Sequence, residues 1–149
     1  MANPMYGQNK ADTAIKNASQ LKMKQFTIDF GIQEANTATT ETFNKGDMIL
    51  GFSAVVSEAM TSGGSATIQL GFTGTTMLSA AVGKATAVAD YPIGPANAAD
   101  AAPLVLTAND TFDSIVGTAT ATAGQVNVSV WYIEAPSFSS EADYITPAS

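Results

Sequence analysis

The chain has 149 residues, six lysines against thirteen carboxylates, a net charge of −7, and no cysteine, histidine or arginine. The absence of cysteine excludes a disulfide framework and thiol catalysis. The absence of histidine removes the commonest metal ligand and the usual acid or base at neutral pH. The negative charge argues against binding to nucleic acid or to an anionic membrane surface. A chain of this length is expected to form one domain, and its composition predicts neither a cofactor nor an enzymatic activity.

The beginning of the chain differs in charge from the rest. Four of the six lysines lie in the first 24 residues, where Asp12 is the only carboxylate. Ile15 and Leu21 are spaced near one helical face, but a helix this short is marginal in isolation. We therefore predict a basic N-terminal arm, residues 1–24, and leave open whether it is helical or extended. No secretion signal is expected, because the first residues lack a positive charge followed by an apolar segment.

Several stretches after the arm show the period-two alternation of β-strands. Apolar and polar residues alternate in residues 25–32, and the long apolar stretch 48–60 and the alternating stretch 66–72 also favour strands. Gly63 and Gly64 stand between the last two stretches, so we predict that these two strands form a hairpin.

The final strand, residues 124–134, has the clearest pattern. Val126, Val128 and Val130 fall on one side of an extended chain, and a slip of one residue would move all three into water. Trp131 falls on the other, otherwise polar, side. It is explained either by a contact within the subunit or by a contact between subunits, because tryptophan anchors interfaces out of proportion to its abundance. We predict a subunit interface at Trp131.

The spacing of these elements indicates the fold class. About seven or eight short strands, separated by turn signals, favour an all-β antiparallel sandwich or barrel. We place the β-sandwich at residues 25–134. Residues 135–149 contain two prolines and are expected to form a C-terminal tail.

The acidic residues offer one candidate metal site. Asp110 and Asp113 flank Thr111 and Phe112, next to Asn109. Oxygen ligands of this kind suit calcium, but a polar turn capped by Asx side chains would use the same residues. The spacing matches no calcium-binding loop, so we favour the turn and predict no metal site. A glycosidase-like pair of carboxylates is a weaker hypothesis, because no pair in the chain stands out.

Two regions of the chain carry a resemblance to a known group of proteins. One is residues 66–72, Ala-Thr-Ile-Gln-Leu-Gly-Phe, followed later by residues 110–112, Asp-Thr-Phe. The other is residues 117–124, Gly-Thr-Ala-Thr-Ala-Thr-Ala-Gly, leading into the valine strand. Together they resemble the small decoration, or cement, proteins of tailed-bacteriophage heads, over residues 48–134.

The resemblance implies a jelly-roll-like β-sandwich that forms homotrimers on the outer capsid surface of a virion. Such trimers, made in the host cytoplasm, tie down the subunits of the major capsid protein, and an N-terminal arm often makes the capsid contact. The candidate docking residues in the arm are Lys10, Ile15, Lys16, Leu21, Lys22 and Lys24. The alternative is a receptor- or carbohydrate-binding β-sandwich knob of a phage fibre or adhesin, because one fold serves many functions.

Overall fold

Strands account for almost all the regular structure in the part of the chain that is described. The computed structural model of the protein describes residues 21–30 and 37–135, in which there are ten strands. They are β1 (Leu21–Asp29), β2 (Thr37–Phe43), β3 (Met48–Ser62), β4 (Thr67–Phe72), β5 (Thr76–Met77), β6 (Val82–Gly83), β7 (Pro92–Ile93), β8 (Leu104–Val105), β9 (Asp110–Gly117) and β10 (Ala121–Ile133). Among these residues, no helix has the length and apolar character needed to cross a membrane.

The strands form two antiparallel sheets that enclose one hydrophobic core. In the first sheet the order is β1-β10-β3-β7, and β8 also pairs with β3. In the second sheet the order is β2-β9-β4-β5, and β6 also pairs with β4. The long strands at the start of the chain alternate between the two sheets, because β1 and β3 lie in the first and β2 and β4 in the second. The predicted all-β antiparallel sandwich is confirmed.

The core lies between the inner faces of the two sheets. Val126, Val128 and Val130 of β10 are at most 2% exposed, as their alternation predicts. On the facing sheet, Ile68 and Leu70 of β4 are fully buried. Burial of such side chains is the main favourable contribution to folding, about 1.5–3 kcal/mol for each large one.

One half of the core is built from aromatic rings. Phe43 contacts Phe72 and Tyr132 edge-to-face, with ring centroids 5.5 and 5.2 Å apart. Phe112 contacts Phe72 at 5.3 Å and Phe52 at 5.5 Å. Aromatic pairs at these distances contribute beyond their buried area. The rings therefore connect β2, β4 and β9 of the second sheet to β3 and β10 of the first.

The predicted hairpin between residues 48–60 and 66–72 is wrong. Both segments are strands, but β3 lies in the first sheet and β4 in the second. β3 already pairs with β10 along one edge and with β7 and β8 along the other, which leaves no edge for β4. Residues 63–66 therefore cross from one sheet to the other. Alternation of apolar and polar residues determines which face of a strand is apolar. A strand with one apolar face, however, fits equally well into either of two sheets that face each other.

Strands β1 and β10 begin earlier than their sequence patterns predict. β1 begins at Leu21, so the last four residues of the proposed 1–24 arm are part of the sheet. β10 begins at Ala121 and passes through Gly124, whose φ is +129°. A Cβ at Gly124 would lie 2.8 Å from Cα of Met60, so glycine is required where β10 bulges against β3.

Candidate interaction surface

The outer face of the first sheet is apolar at one end. Two rows of side chains cross the strands there, and the paired registers of β1, β10, β3 and β8 place them side by side. Leu21, Met23 and Val105 are 60%, 50% and 49% exposed. We call this surface the apolar end. It consists of Leu21, Ile133, Met48 and Val105 in the first row and Met23, Trp131, Leu50 and Gly51 in the second.

The same face becomes polar further along the strands. In the next row Gln25 donates from Nε2 to Oγ of Ser129 at 3.2 Å. In the row after that, Thr27 donates from Oγ1 to Oδ1 of Asn127 at 2.8 Å. These cross-strand hydrogen bonds occupy polar side chains that would otherwise face water. The outer face is therefore apolar at one end and mainly polar beyond it, although Val55, opposite Asn127, is 42% exposed.

Trp131 lies at the centre of the apolar end. Its cross-strand partners are Met23 on β1 and Gly51 on β3. The register shifts beside Trp131, so that Leu50 and Gly51 together oppose it in a β-bulge. A Cβ built at Gly51 would have no heavy atom within 4 Å. The indole is therefore partly buried, with an open notch beside it.

Two candidate docking lysines have partners within the domain. The ammonium group of Lys24 donates to the carbonyl oxygen of Thr42 at 2.5 Å and lies 4.6 Å from the ring centroid of Phe43. Its Nζ is also 3.9 Å from a carboxylate oxygen of Glu41. Lys24 thus joins the edge strands β1 and β2 across the open side of the sandwich. The charge of Lys24 therefore already has partners within its own domain, without any contact to a second protein.

Lys22 is the other engaged lysine. Its Nζ donates to a carboxylate oxygen of Glu134, with which it forms an ion pair. The hydrogen bond to Glu134 raises the pKa of Lys22 above its usual value. Burial likewise raises the pKa of Tyr132, and the charge of Glu134 adds to this effect. Lys22 and Glu134 therefore hold the start of β1 against the end of β10.

The two ends of the sheet-forming chain meet at the apolar end. Leu21, the first residue of β1, pairs with Ile133, the last residue of β10. The backbone N–H of Ala135 donates to Oδ1 of Asp47 at 2.8 Å, and Asp47 is only 1% exposed. This hydrogen bond fixes the position of Ala135, the last residue that the structure describes. Residues 1–20 and 136–149 therefore both connect to the domain beside the apolar end.

Of the candidate docking residues, the structure places Leu21, Lys22 and Lys24 on β1. Leu21 belongs to the apolar end with Trp131, and the two lysines do not. Lys10, Ile15 and Lys16 lie outside the described residues, as does the rest of the C-terminal tail after Ala135.

The acidic pair Asp110 and Asp113 is occupied by hydroxyl and amide donors. Asp110 accepts from Oγ1 of Thr75 at 3.0 Å and from the N–H of Thr111 at 2.9 Å. Asp113, 1% exposed, accepts from Oγ1 of Thr111 at 2.6 Å and from Oγ1 of Thr73. Within residues 21–30 and 37–135 no group of three or more acidic side chains is placed to hold a metal ion. The favoured turn at residues 109–113 is therefore wrong: the two aspartates lie in β9, and they accept from Thr73 and Thr75 in the turn between β4 and β5.

The sequence analysis did not find the apolar end as a surface. Its residues come from four strands, and only Trp131 stood out individually. The available signal was the alternation of residues 21–24, in which Leu21 and Met23 alternate with two lysines. The cross-strand rows could be found only from the register.

Comparison with known proteins gives a likeness of fold. No family profile matches the chain, and no curated protein does. A chain in the acidic stable capsid structure of Helicobacter pylori bacteriophage KHP30 is similar to it, with a TM-score of 0.51 and 16% identity, over 80% of this chain and 94% of that one. At that identity the likeness shows the fold alone.

Two further solved structures are weaker matches. A chain of the cyanophage Pam1 capsid asymmetric unit has a TM-score of 0.49 and 16% identity, over 78% of this chain and 86% of that one. A chain of the disulfide-linked pili that form Bacillus endospore appendages has a TM-score of 0.38 and 18% identity, over 78% of this chain and 91% of that one. Likenesses at these TM-scores carry no conclusion about this chain. Only the match to the KHP30 chain therefore bears on the fold, which this protein shares with that chain of a phage capsid.

Proposed function

We propose that this protein is a structural component of a phage virion, and that it decorates the outer surface of the head and stabilises contacts between subunits of the major capsid protein. The observation that carries the proposal is the meeting of both chain ends at the apolar end. Residues 1–20 end, and residues 136–149 begin, beside an exposed apolar surface on a sheet face that is mainly polar elsewhere. A domain that is joined to two further segments at one end can contact several neighbours at once.

The likeness of fold to a chain of the phage KHP30 capsid supports a role in the virion. The alternation of β1 to β4 between two sheets, with β9 and β10 returning between them, supports a jelly-roll-like arrangement. The absence of cysteine and histidine from the whole sequence removes thiol and imidazole chemistry. A binding role is therefore favoured over an enzymatic one.

The proposed assembly is a homotrimer in which the N-terminal arms contact the major capsid protein. Lys22 and Lys24 are engaged within the domain and Leu21 belongs to the apolar end, so the capsid contacts fall to Lys10, Ile15 and Lys16. Three linked arms bind together, and the second and third contacts benefit from effective concentration, which can add about 10²- to 10⁴-fold in avidity. Contacts that are individually weak are then sufficient to attach the trimer to the capsid.

The test is co-sedimentation of the purified protein with heads assembled from the major capsid protein of the same genome. We expect binding to expanded heads and not to unexpanded ones. Deletion of residues 1–20 should abolish binding and leave the urea midpoint of the domain unchanged, because β1 begins at Leu21 and keeps all of its strand pairing. A Lys10→Gln, Lys16→Gln variant is the matched control for charge, and its binding should be weaker and less sensitive to salt. Failure to bind any heads, combined with binding to host cells, would favour the fibre knob instead.

A further inference from the structure

Several side chains of the apolar end are exposed in the part of the chain that the structure describes. Its exposed members Leu21, Met23 and Val105 surround a half-buried Trp131, and the position of Gly51 leaves a notch beside the indole. Beneath this surface lies the aromatic half of the core, where the rings of Tyr132 and Phe43 are 5.2 Å apart. An apolar surface with an open notch is suited to receiving a large side chain.

The size of the apolar end indicates what kind of partner it fits. Four strands about 4.8 Å apart and two rows about 7 Å apart give a surface of roughly 14 Å by 7 Å between Cα positions. A face-to-face interface between folded subunits needs about 800 Å² from each partner, which is several times more. The surface is therefore too small for a whole domain and suits a short peptide segment with a few large apolar side chains.

Residues 136–149 have the composition of such a segment. They contain Phe138, Tyr144 and Ile145, and they follow Ala135 at the edge of the apolar end. Fully extended, fourteen residues span up to about 45 Å. Residues 1–20 connect at the same edge, but their lysines need water, and their role in the proposed function is contact with the capsid.

The exit of the chain favours a neighbouring subunit over its own. Ile133 pairs with Met48, the first residue of β3, and Ala135 donates to the side chain of Asp47, which precedes β3. At Ala135 the chain has therefore passed the end of β3, and both rows of the apolar end lie behind it along the strand direction. In a closed trimer, a segment that continues in this direction can reach the corresponding surface of a neighbouring subunit.

We propose that residues 136–149 of each subunit pack on the apolar end of a neighbouring subunit, with Trp131 at the centre of the contact. This inference rests on the proposed trimer. The exchanged segments supply the apolar area that the flat surface lacks. Trp131 is then a subunit contact, as its position on a polar strand face predicts, and its partner is a chain segment.

Trp131 is the only tryptophan in the chain and reports directly on this contact. Deletion of residues 136–149 should shift its fluorescence maximum to longer wavelength and raise acrylamide quenching several-fold. A Glu141→Gln, Asp143→Gln control, which keeps the three large apolar residues, should leave both unchanged. Unchanged fluorescence in the deletion variant would overturn the proposal. Exposure of Trp131 on dilution alone would then point to a contact between folded faces.

A mixing experiment decides between a neighbouring subunit and the same one. The truncated chain that retains Trp131 is refolded from urea with an excess of full-length Trp131→Phe chain, so that all tryptophan fluorescence comes from the truncated chain. Return of the emission to shorter wavelength supports exchange between subunits. Emission that stays at longer wavelength means that the segment acts only within its own chain, which overturns the proposal.

Light scattering on the wild type separates the two levels of failure. A monomer would overturn the proposed trimer and this inference together. A trimer that binds heads, but in which deletion of residues 136–149 leaves the fluorescence of Trp131 unchanged, would overturn only the inference.

Discussion

Val128 and Ser129 are neighbours in β10 whose side chains lie on opposite faces of the first sheet. Val128 is 2% exposed and faces the core, whereas Ser129 accepts from Gln25 on the outer face. Val128→Asp buries an unpaired charge, and we expect it to cost more than about 4 kcal/mol or to prevent folding. Ser129→Asp should cost no more than about 1 kcal/mol. Urea denaturation measures both, and equal damage would mean that both faces are buried.

At the same scale, the sequence identified which residues are unusual but not what surrounds them. The valines of β10 were assigned to the core correctly, because strict alternation determines the face of a strand. Trp131 was recognised as an outlier on a polar face. Its neighbours Met23 and Gly51 are 108 and 80 positions away in the chain, and only the strand register brings them together.

At the scale of the element, β1 shows why a strand boundary can escape sequence analysis. Phe26 and Ile28 face the core, which puts even-numbered residues inward. Continued towards the N-terminus, this register puts Lys22 and Lys24 inward and Leu21 outward, the reverse of an amphipathic strand. The inversion is tolerated because both lysines lie at the end of the sandwich and have acidic or carbonyl partners. Apolar periodicity alone therefore placed the start of the strand at residue 25.

The ion pair between β1 and β10 leads to a prediction for alkaline pH. The folded-state pKa of Lys22 is raised by Glu134, so the pair stabilises the fold fully below the unfolded pKa of lysine, about 10.4. This stability is lost as the pH rises through the higher folded pKa. Tyr132, whose pKa is also raised, ionises first in the unfolded chain, from a pKa of about 10, and acts in the same direction.

We therefore expect Glu134→Gln to be less stable than the wild type at pH 8, and the difference to shrink above pH 11. Urea midpoints at the two pH values measure this, and Tyr132→Phe in both backgrounds removes the contribution of the phenol. A difference that stays constant with pH would show that Glu134 acts through packing rather than through its charge.

At the scale of the whole molecule, the all-β class could be predicted, but neither the assignment of strands to sheets nor the number of strands could, since ten are described where seven or eight were expected. The segment 66–72 has an apolar inner face that would fit either sheet, and the short connection after β3 allowed a hairpin. Pairing of β3 with β10 decides the topology, since it uses the edge that β4 would need. Those partners are separated by more than fifty residues, so no local pattern reports the pairing.

Assembly is the property at this scale that the surface itself predicts. An exposed apolar end on an acidic subunit is stabilised when a segment of a neighbouring copy covers it, and a closed ring leaves no such surface without a partner. We expect light scattering at micromolar concentration to give about three times the chain mass of 15.3 kDa. Met23→Ser should shift the assembly towards monomer, because it removes apolar area beside Trp131. Thr27→Ser, on the polar half of the same strand, is the matched control and should leave the trimer intact. Monomeric wild type at every accessible concentration would contradict this prediction.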